Sequence, residues 1–497
     1  MADLYHNYIG GKWVPSRSGA TFESLDPATG EVLGACARSG PEDVSDAVAA
    51  AREAYPKWRK VPAPRRAEIL YRAAEMLVRR KEEYARLMTR EMGKILTETR
   101  GDVQEAIDMT YFIAGEGRRL HGYTTPSEMP SKAAYCVRQP MGVVGVITPW
   151  NFPMAIPSWK IVPALVCGNT VVFKPAPETP IMGAAFVQLL EEAGLPPGVL
   201  NLTLGGDEVG AALVDHPDVA LISFTGSTEV GLKVAARCAE QGKRVSLEMG
   251  GKNAAIVMDD ADLELAADAL VWSAFGTTGQ RCTACSRIVV HPRVHTDVAD
   301  LLSERAGRLR LGSGLEPTTD VGPLVSAAQL ERVERYVGIG KSEGARVLVG
   351  GERATGDGLE RGYFFRPTVF DGVHPQMRIA QEEIFGPVTD LIRADSLDEA
   401  IAVVNGVRYG LSASIFTRDV NKAMRAIEEI HTGIVYVNHG TIGAEVHLPF
   451  GGTRATGNGH REGGLQVLDV FSEWKSVYID YSGRLQRAQI DIEPVVG

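Results

Sequence analysis

The spacing of apolar positions changes character along the chain. From about residue 41 to 119 apolar residues recur three and four apart, as in Pro64–Val78, which predicts helices, with Pro62 and Pro64 punctuating the first ones. From about residue 142 short β-rich runs alternate with helical ones. Gly142–Ile147, Thr170–Phe173, Leu200–Leu204, Ala220–Phe224 and Val245–Leu247 predict strands, with helices at Ile181–Ala193 and Thr228–Ala239. Such alternation predicts a parallel sheet with helices on both faces, a class that binds ligands beyond the carboxyl ends of its strands. A second α/β stretch runs from Asn253 to about 450, with a helix at Leu263–Phe275 and strands at Arg287–Val290, Ala413–Phe416 and Gly433–Asn438. Two strands stand apart, Tyr135–Arg138 and Ser472–Tyr481. They predict either a local two-stranded ribbon or an arm that meets another subunit.

Composition narrows the class. The 497 residues suit two to four domains, and 44% hydrophobic with 23% charged residues is ordinary for a globular chain. A net charge of −10 disfavours nucleic acid and anionic lipid as partners. The six cysteines are sparse, so no disulfide framework is expected. Cys282 and Cys285 are spaced like half a zinc site, but no second ligand pair accompanies them, so no metal is expected. Neither a signal peptide nor an apolar run long enough to span a membrane is visible, which leaves a cytoplasmic location as the expectation.

Seven segments carry candidate chemistry. In FGTTGQRCTACSR, glycines and threonines put Cys282 on a tight turn, where a backbone N–H beside the sulfur can stabilise an oxyanion. A thiolate of lowered pKa there is a strong nucleophile, whereas the bland alternative is a buried structural cysteine. In LEMGGKN, Glu248 ends a strand before two glycines and can accept a proton; taken alone, it reads sooner as a salt-bridged surface residue. In TPWNFP, the Asn151 amide is flanked by prolines and suits an oxyanion or a simple Asx turn. VVFKPAPETP carries Lys174 off the end of a strand. FTGSTEVG runs a strand through Gly226-Ser227 into a helix whose N–H groups can hold a pyrophosphate. QEEIFGPV offers Glu383 and Phe385, and the glycine-rich LPFGGTRATGNGHREGG offers Phe450.

Taken in order, these segments resemble the aldehyde dehydrogenase superfamily from about residue 5 to 482. The resemblance implies Cys282 as the nucleophile that attacks an aldehyde, Glu248 as the base that activates the deacylating water, and Asn151 with the Cys282 N–H as the oxyanion hole. It implies a cofactor site of Thr148, Pro149, Trp150, Lys174, Gly206, Gly226, Ser227, Met249, Glu383 and Phe385. Phe152, Trp159 and Phe450 resemble a substrate tunnel and suggest an apolar funnel for a medium-chain or aromatic aldehyde. GQRC is also shared with enzymes of semialdehydes, although Arg281 can point away. The implied fold is α/β: a Rossmann-like cofactor domain (1–120 and 140–250), an α/β catalytic domain (251–450), and a β-strand oligomerisation arm (121–139 and 465–490) that makes a homodimer or homotetramer. The tail 483–497 is expected to be docked or disordered, or to cover a substrate entrance.

The implied cofactor is NAD+. Family members that prefer it often place a glutamate three residues after the lysine matching Lys174. Here Pro177 holds that position and Glu178 follows, so tolerance of NADP+ is expected. Two other functions compete with hydrolytic aldehyde oxidation. One is a CoA-acylating dehydrogenase, a branch that commonly lacks the base glutamate; the other is a non-catalytic structural protein on the same fold. Cys285 is expected either to be inert or to form a reversible disulfide with Cys282.

Overall fold

The computed structural model describes residues 3–356 and 358–491. Two seven-stranded sheets organise it. The first has the order Arg244–Glu248, Val219–Thr225, Val143–Ile147, Thr170–Lys174, Leu200–Leu202, Asn7–Ile9, Lys12–Val14. Its first five strands are parallel. The chain moves outward from Val143–Ile147 in one direction and then returns to its other side, so a topological switch point lies between the carboxyl ends of Val143–Ile147 and Val219–Thr225. That is where an open α/β sheet leaves a crevice for ligand.

The last two strands of that sheet, Asn7–Ile9 and Lys12–Val14, are antiparallel and come from a stretch for which the hydrophobic pattern predicts no strand. Each has three residues, too few to display alternation. The helical stretch divides into Pro41–Trp58, Ala63–Arg79, Lys81–Met92 and Leu96–Glu116. Leu96–Glu116 packs against Ala155–Cys167, which is buried nearly all round, as expected of a helix that is apolar on every side.

The second sheet has the order Arg346–Val349, Thr368–Asp371, Val388–Arg393, Cys285–Val290, Asn253–Val257, Ser412–Phe416, Ile434–Val437. All neighbours are parallel except the first pair. The strand Arg244–Glu248 closes the first sheet and Asn253–Val257 opens the second, so only residues 249–252 bridge them. The isolated strands expected near 135 and 472 pair with each other antiparallel, Ser472–Asp480 on Lys132–Pro140, and Tyr123–Pro126 adds a third strand. The described part of the tail folds back on this sheet, where the Gln486 amide donates to Pro130 O at 2.8 Å; residues 492–497 lie outside the described residues. Among the described residues no helix is long and apolar enough to cross a membrane.

Candidate functional site

Cys282 follows a strained turn. The helix Leu263–Phe275 ends at Gly276, and Thr277 and Thr278 then take left-handed backbone with φ of 54° and 56°, a region that β-branched residues rarely occupy. Gly279 continues at φ +67°, and a Cβ there would lie 2.1 Å from Gly386 O. Gln280 anchors the turn: its amide donates to Thr277 O and Pro323 O, and its carbonyl accepts from Val325 N at 2.9 Å. Beyond the thiol, Asn253 donates to Cys282 O at 2.7 Å and Ala284 O at 2.9 Å, and Thr441 donates to Thr283 O. Strain held this firmly is typical of a functional turn. Cys282 is half-buried, whereas the other five cysteines are buried.

The electrostatics of that sulfur differ from the expected lowered pKa. Burial pushes the Cys282 thiol up to about 12, and Glu383, Glu248 and Glu105 add to the push. The thiol at rest is therefore protonated, and ionising it requires a base. Cys285 is buried, with its sulfur 3.5 Å from Arg287 O and its thiol also pushed up to about 12 by burial. That environment favours the inert reading of this cysteine.

Glu248 is the last residue of its strand and is buried. Its Oε1 has no hydrogen-bond partner among the described residues. Burial, then repulsion from Glu462, raises its carboxyl well above the ordinary range, and Lys160 and Arg461 oppose this. Gly451 touches the carboxylate, since a Cβ there would lie 2.5 Å from Oε1. Behind Glu248, the Lys160 ammonium donates to Ser223 at 3.1 Å and pairs with Glu462. The buried Asn151 amide donates to Gln280 O at 3.1 Å, which commits one of its two N–H groups and ties it to the Cys282 loop.

The candidate cofactor residues line the carboxyl ends of the first sheet and the loop facing it. Thr148 donates its N–H to Lys174 O at 3.2 Å, and Pro149 and Trp150 follow. Burial lowers the Lys174 ammonium pKa, and nearby Glu178, Asp207 and Glu208 raise it. Gly206 caps the helix Asp207–Asp215. Gly226 N donates to Glu248 O at 3.1 Å, and Ser227 caps Thr228–Glu240 by accepting from Val230 N. Met249 is buried and donates to Thr456 O at 2.7 Å. On the facing loop, Glu383 accepts from Gly251 N at 2.9 Å, and burial pushes its carboxyl up to about 6. Phe385 is left-handed, φ 62°, and meets Trp150 edge-on at 5.3 Å.

The three expected tunnel aromatics do not form one apolar wall. Trp159 and Phe450 meet edge-on at 5.5 Å. Phe152 instead has the Lys94 ammonium 3.6 Å from its ring centre and the Arg281 guanidinium at 5.4 Å. Lys94 pairs with Asp102 at 2.8 Å and Arg281 with Glu98 at 3.2 Å. Glu105, on the helix with Glu98 and Asp102, has no such partner; burial and repulsion from Asp102 push its carboxyl up to about 8. Phe152 thus packs on cations already paired with carboxylates, while Trp159 and Phe450 pack on each other. Lys160, Glu462, Glu105, Lys94, Gln280 and Asn253 are absent from the residues expected on sequence grounds. A lone lysine within the apolar run of Ala155–Cys167 is a visible signal for Lys160; Glu105 and Glu462 stand in ordinary polar surroundings in the sequence and give none.

The comparisons with known proteins agree with this geometry. The model of the aldehyde dehydrogenase family matches residues 13–477. The chain is 44% identical to the alpha-ketoglutaric semialdehyde dehydrogenase of Bacillus subtilis, over 96% of this chain and 98% of that protein. It is 40% identical to the 2,5-dioxopentanoate dehydrogenase of Saccharolobus solfataricus, over 94% and 98%. The crystal structure of betaine aldehyde dehydrogenase from Staphylococcus aureus in complex with NAD+ superposes with a TM-score of 0.95 at 35% identity, covering 97% of this chain and 96% of that one. A nearly full-length match in sequence and in fold places the chain in the aldehyde dehydrogenase family.

Proposed function

We propose that the chain oxidises an aldehyde bearing a carboxylate at its far end, a semialdehyde, to the acid, with NAD+ as oxidant and Cys282 as covalent nucleophile. What carries the reading is a Cys282 thiol within electrostatic reach of the buried Glu248 carboxylate, with the Asn151 amide tied to the loop before the thiol. The substrate class draws on the relatives that act on alpha-ketoglutaric semialdehyde and 2,5-dioxopentanoate.

A dinucleotide fits the crevice at the switch point. Ser227 and the N-terminus of a 13-residue helix suit a pyrophosphate, Lys174 and Glu383 suit two riboses, and buried Thr225 Oγ1 beside them has no partner among the described residues. NAD+, when bound, supplies the acceptor for the hydride. The chain's own residues do the rest. Glu248 takes the thiol proton, and the sulfur adds to the carbonyl carbon. The remaining Asn151 N–H and the Cys282 N–H stabilise the oxyanion. Loss of hydride leaves a thioester on Cys282. Once Glu248 has released the thiol proton, it takes a proton from water, which attacks the thioester, and the sulfur departs as a thiolate as the acid is released. Glu462 and Lys160 lie behind Glu248 and can hand its proton onward.

We read Ser472–Asp480 and Lys132–Pro140 as a subunit-binding arm, since Trp474, Tyr478 and Ile479 expose large apolar surface on it. Glu178 stands close enough to Lys174 to shift its pKa, so it supplies acidity near the expected position and favours NAD+ over NADP+. The test is a panel of carboxylated, aliphatic and aromatic aldehydes with either cofactor and without CoA. Carboxylated aldehydes should give a kcat/KM at least about tenfold above neutral ones of equal length, the gap a single added charge-assisted contact supports. A preference for neutral aldehydes would remove the substrate class; undiminished oxidation by Cys282→Ala would remove the mechanism.

A further inference from the structure

Below the thiol, three buried charges meet on neighbouring elements of the second sheet. Lys252 ends the bridge between the sheets, Arg287 lies on Cys285–Val290, and Asp390 lies on Val388–Arg393 as the register partner of Arg287. Four of the five guanidinium N–H groups go to backbone carbonyls: Lys252 O at 2.7 and 3.1 Å, Val403 O at 2.8 Å and Val404 O at 3.1 Å. The Lys252 ammonium and the Asp390 carboxylate therefore face each other, 3.7 Å apart, with both side chains closed to solvent. At that separation they are an ion pair without a close hydrogen bond, and neither has another partner among the described residues.

A buried pair of this kind stabilises little, because desolvation offsets most of the attraction and apolar pairs often do as well. Its place in the fold is more telling. The N–H of Gly251, adjacent to Lys252, is the donor that holds Glu383, and Gly250 passes so close that a Cβ there would lie 2.3 Å from Glu383 Oε2. Asp390 follows Glu383 on the chain, across Phe385–Pro387. From the other side Arg332 donates to Ile384 O at 3.1 Å. The pair thus joins the bridge that presents Gly251 to the strand that follows the loop carrying Glu383.

We propose that Lys252 and Asp390 are positioning residues, whose ion pair sets where the Glu383 carboxylate stands for the cofactor's ribose. The inference rests on the reading of Glu383 given above, and its test separates the two. NAD+ affinity is measured by isothermal titration calorimetry for the wild type, Glu383→Gln, the neutral pair Lys252→Met/Asp390→Leu, and the triple variant, with a thermal melt of each. Glu383→Gln should weaken binding; if it does not, the reading of Glu383 fails. The neutral pair should melt close to the wild type yet bind NAD+ about tenfold more weakly, and the triple variant should bind no more weakly than Glu383→Gln alone, since residues acting through one another are not additive. Wild-type affinity in the neutral pair, or a loss that adds in full to that of Glu383→Gln, overturns the positioning role. If the neutral pair does not fold, Lys252→Arg keeps the charge and moves it. Its weaker binding should vanish in the Glu383→Gln background, and unaltered binding in Lys252→Arg overturns the proposal.

Discussion

Gly279→Ala is the sharpest perturbation of the contact between the loop that carries Cys282 and the loop that carries Glu383. At φ +67° the new methyl first meets the left-handed penalty, about 1 kcal/mol relative to glycine. It would also lie 2.1 Å from Gly386 O, with Gly386 C at 2.4 Å and Pro387 N at 2.9 Å. These are backbone atoms, so no side chain can turn away. Relief requires the two loops to part by roughly 1 Å, a displacement that can cost on the order of a hundredfold in rate when it separates reacting groups. Overpacking adds about 1–3 kcal/mol, giving about 2–4 kcal/mol in all. The segment that must yield follows Phe385, itself left-handed and held by Gln329 through its carbonyl at 2.6 Å. Steady-state kinetics with NAD+ and a semialdehyde, alongside calorimetric melting, measure both effects. The expected result is a kcat/KM lower by about two orders of magnitude in a protein that still folds. Activity within a few-fold of wild type would refute the claim that these loops are in register at the ångström level.

Three further outcomes follow from the buried acids. Glu248→Gln removes the base from both half-reactions, so the first equivalent of reduced cofactor in stopped flow and the steady-state turnover should both slow by about 10²–10⁴-fold; rates like wild type count against Glu248 as base. Because the native Glu248 carboxyl is raised, the folded state keeps a proton that the unfolded chain has lost. Stability therefore falls as pH rises from the unfolded value near ~4.3 toward the native one, and the Gln variant should lose less melting temperature over that range. Glu105→Gln removes one of the three carboxylates that push the Cys282 thiol upward, so iodoacetamide should alkylate Cys282 faster at about pH 9, with the five buried cysteines as internal controls. An unchanged rate would show that Glu105 does not act on the sulfur.

The fold was legible where elements are long or strongly patterned. Leu263–Phe275 coincides with its predicted span, and the five parallel strands of the first sheet fall within a few residues of theirs. Asn7–Ile9 and Lys12–Val14 escaped because three residues carry no period. The helices Ala327–Ser342 and Leu397–Asn405 lie in stretches for which no element was predicted. At the site, the motif residues announce themselves through glycines and prolines that only special backbone requires. The groups that set their charge do not. Glu462 is more than two hundred residues from Glu248, and Glu105 is more than a hundred and seventy from the thiol whose ionisation it opposes. Pairings made by tertiary packing leave no local signature, which is why the thiol was expected to be acidic and is instead held protonated.

The short bridge at 249–252 has a mechanical consequence. One half of the molecule ends on a carboxylate and the other begins directly behind the sulfur's loop, so any parting of the halves about this root also moves the proton acceptor relative to the thiol.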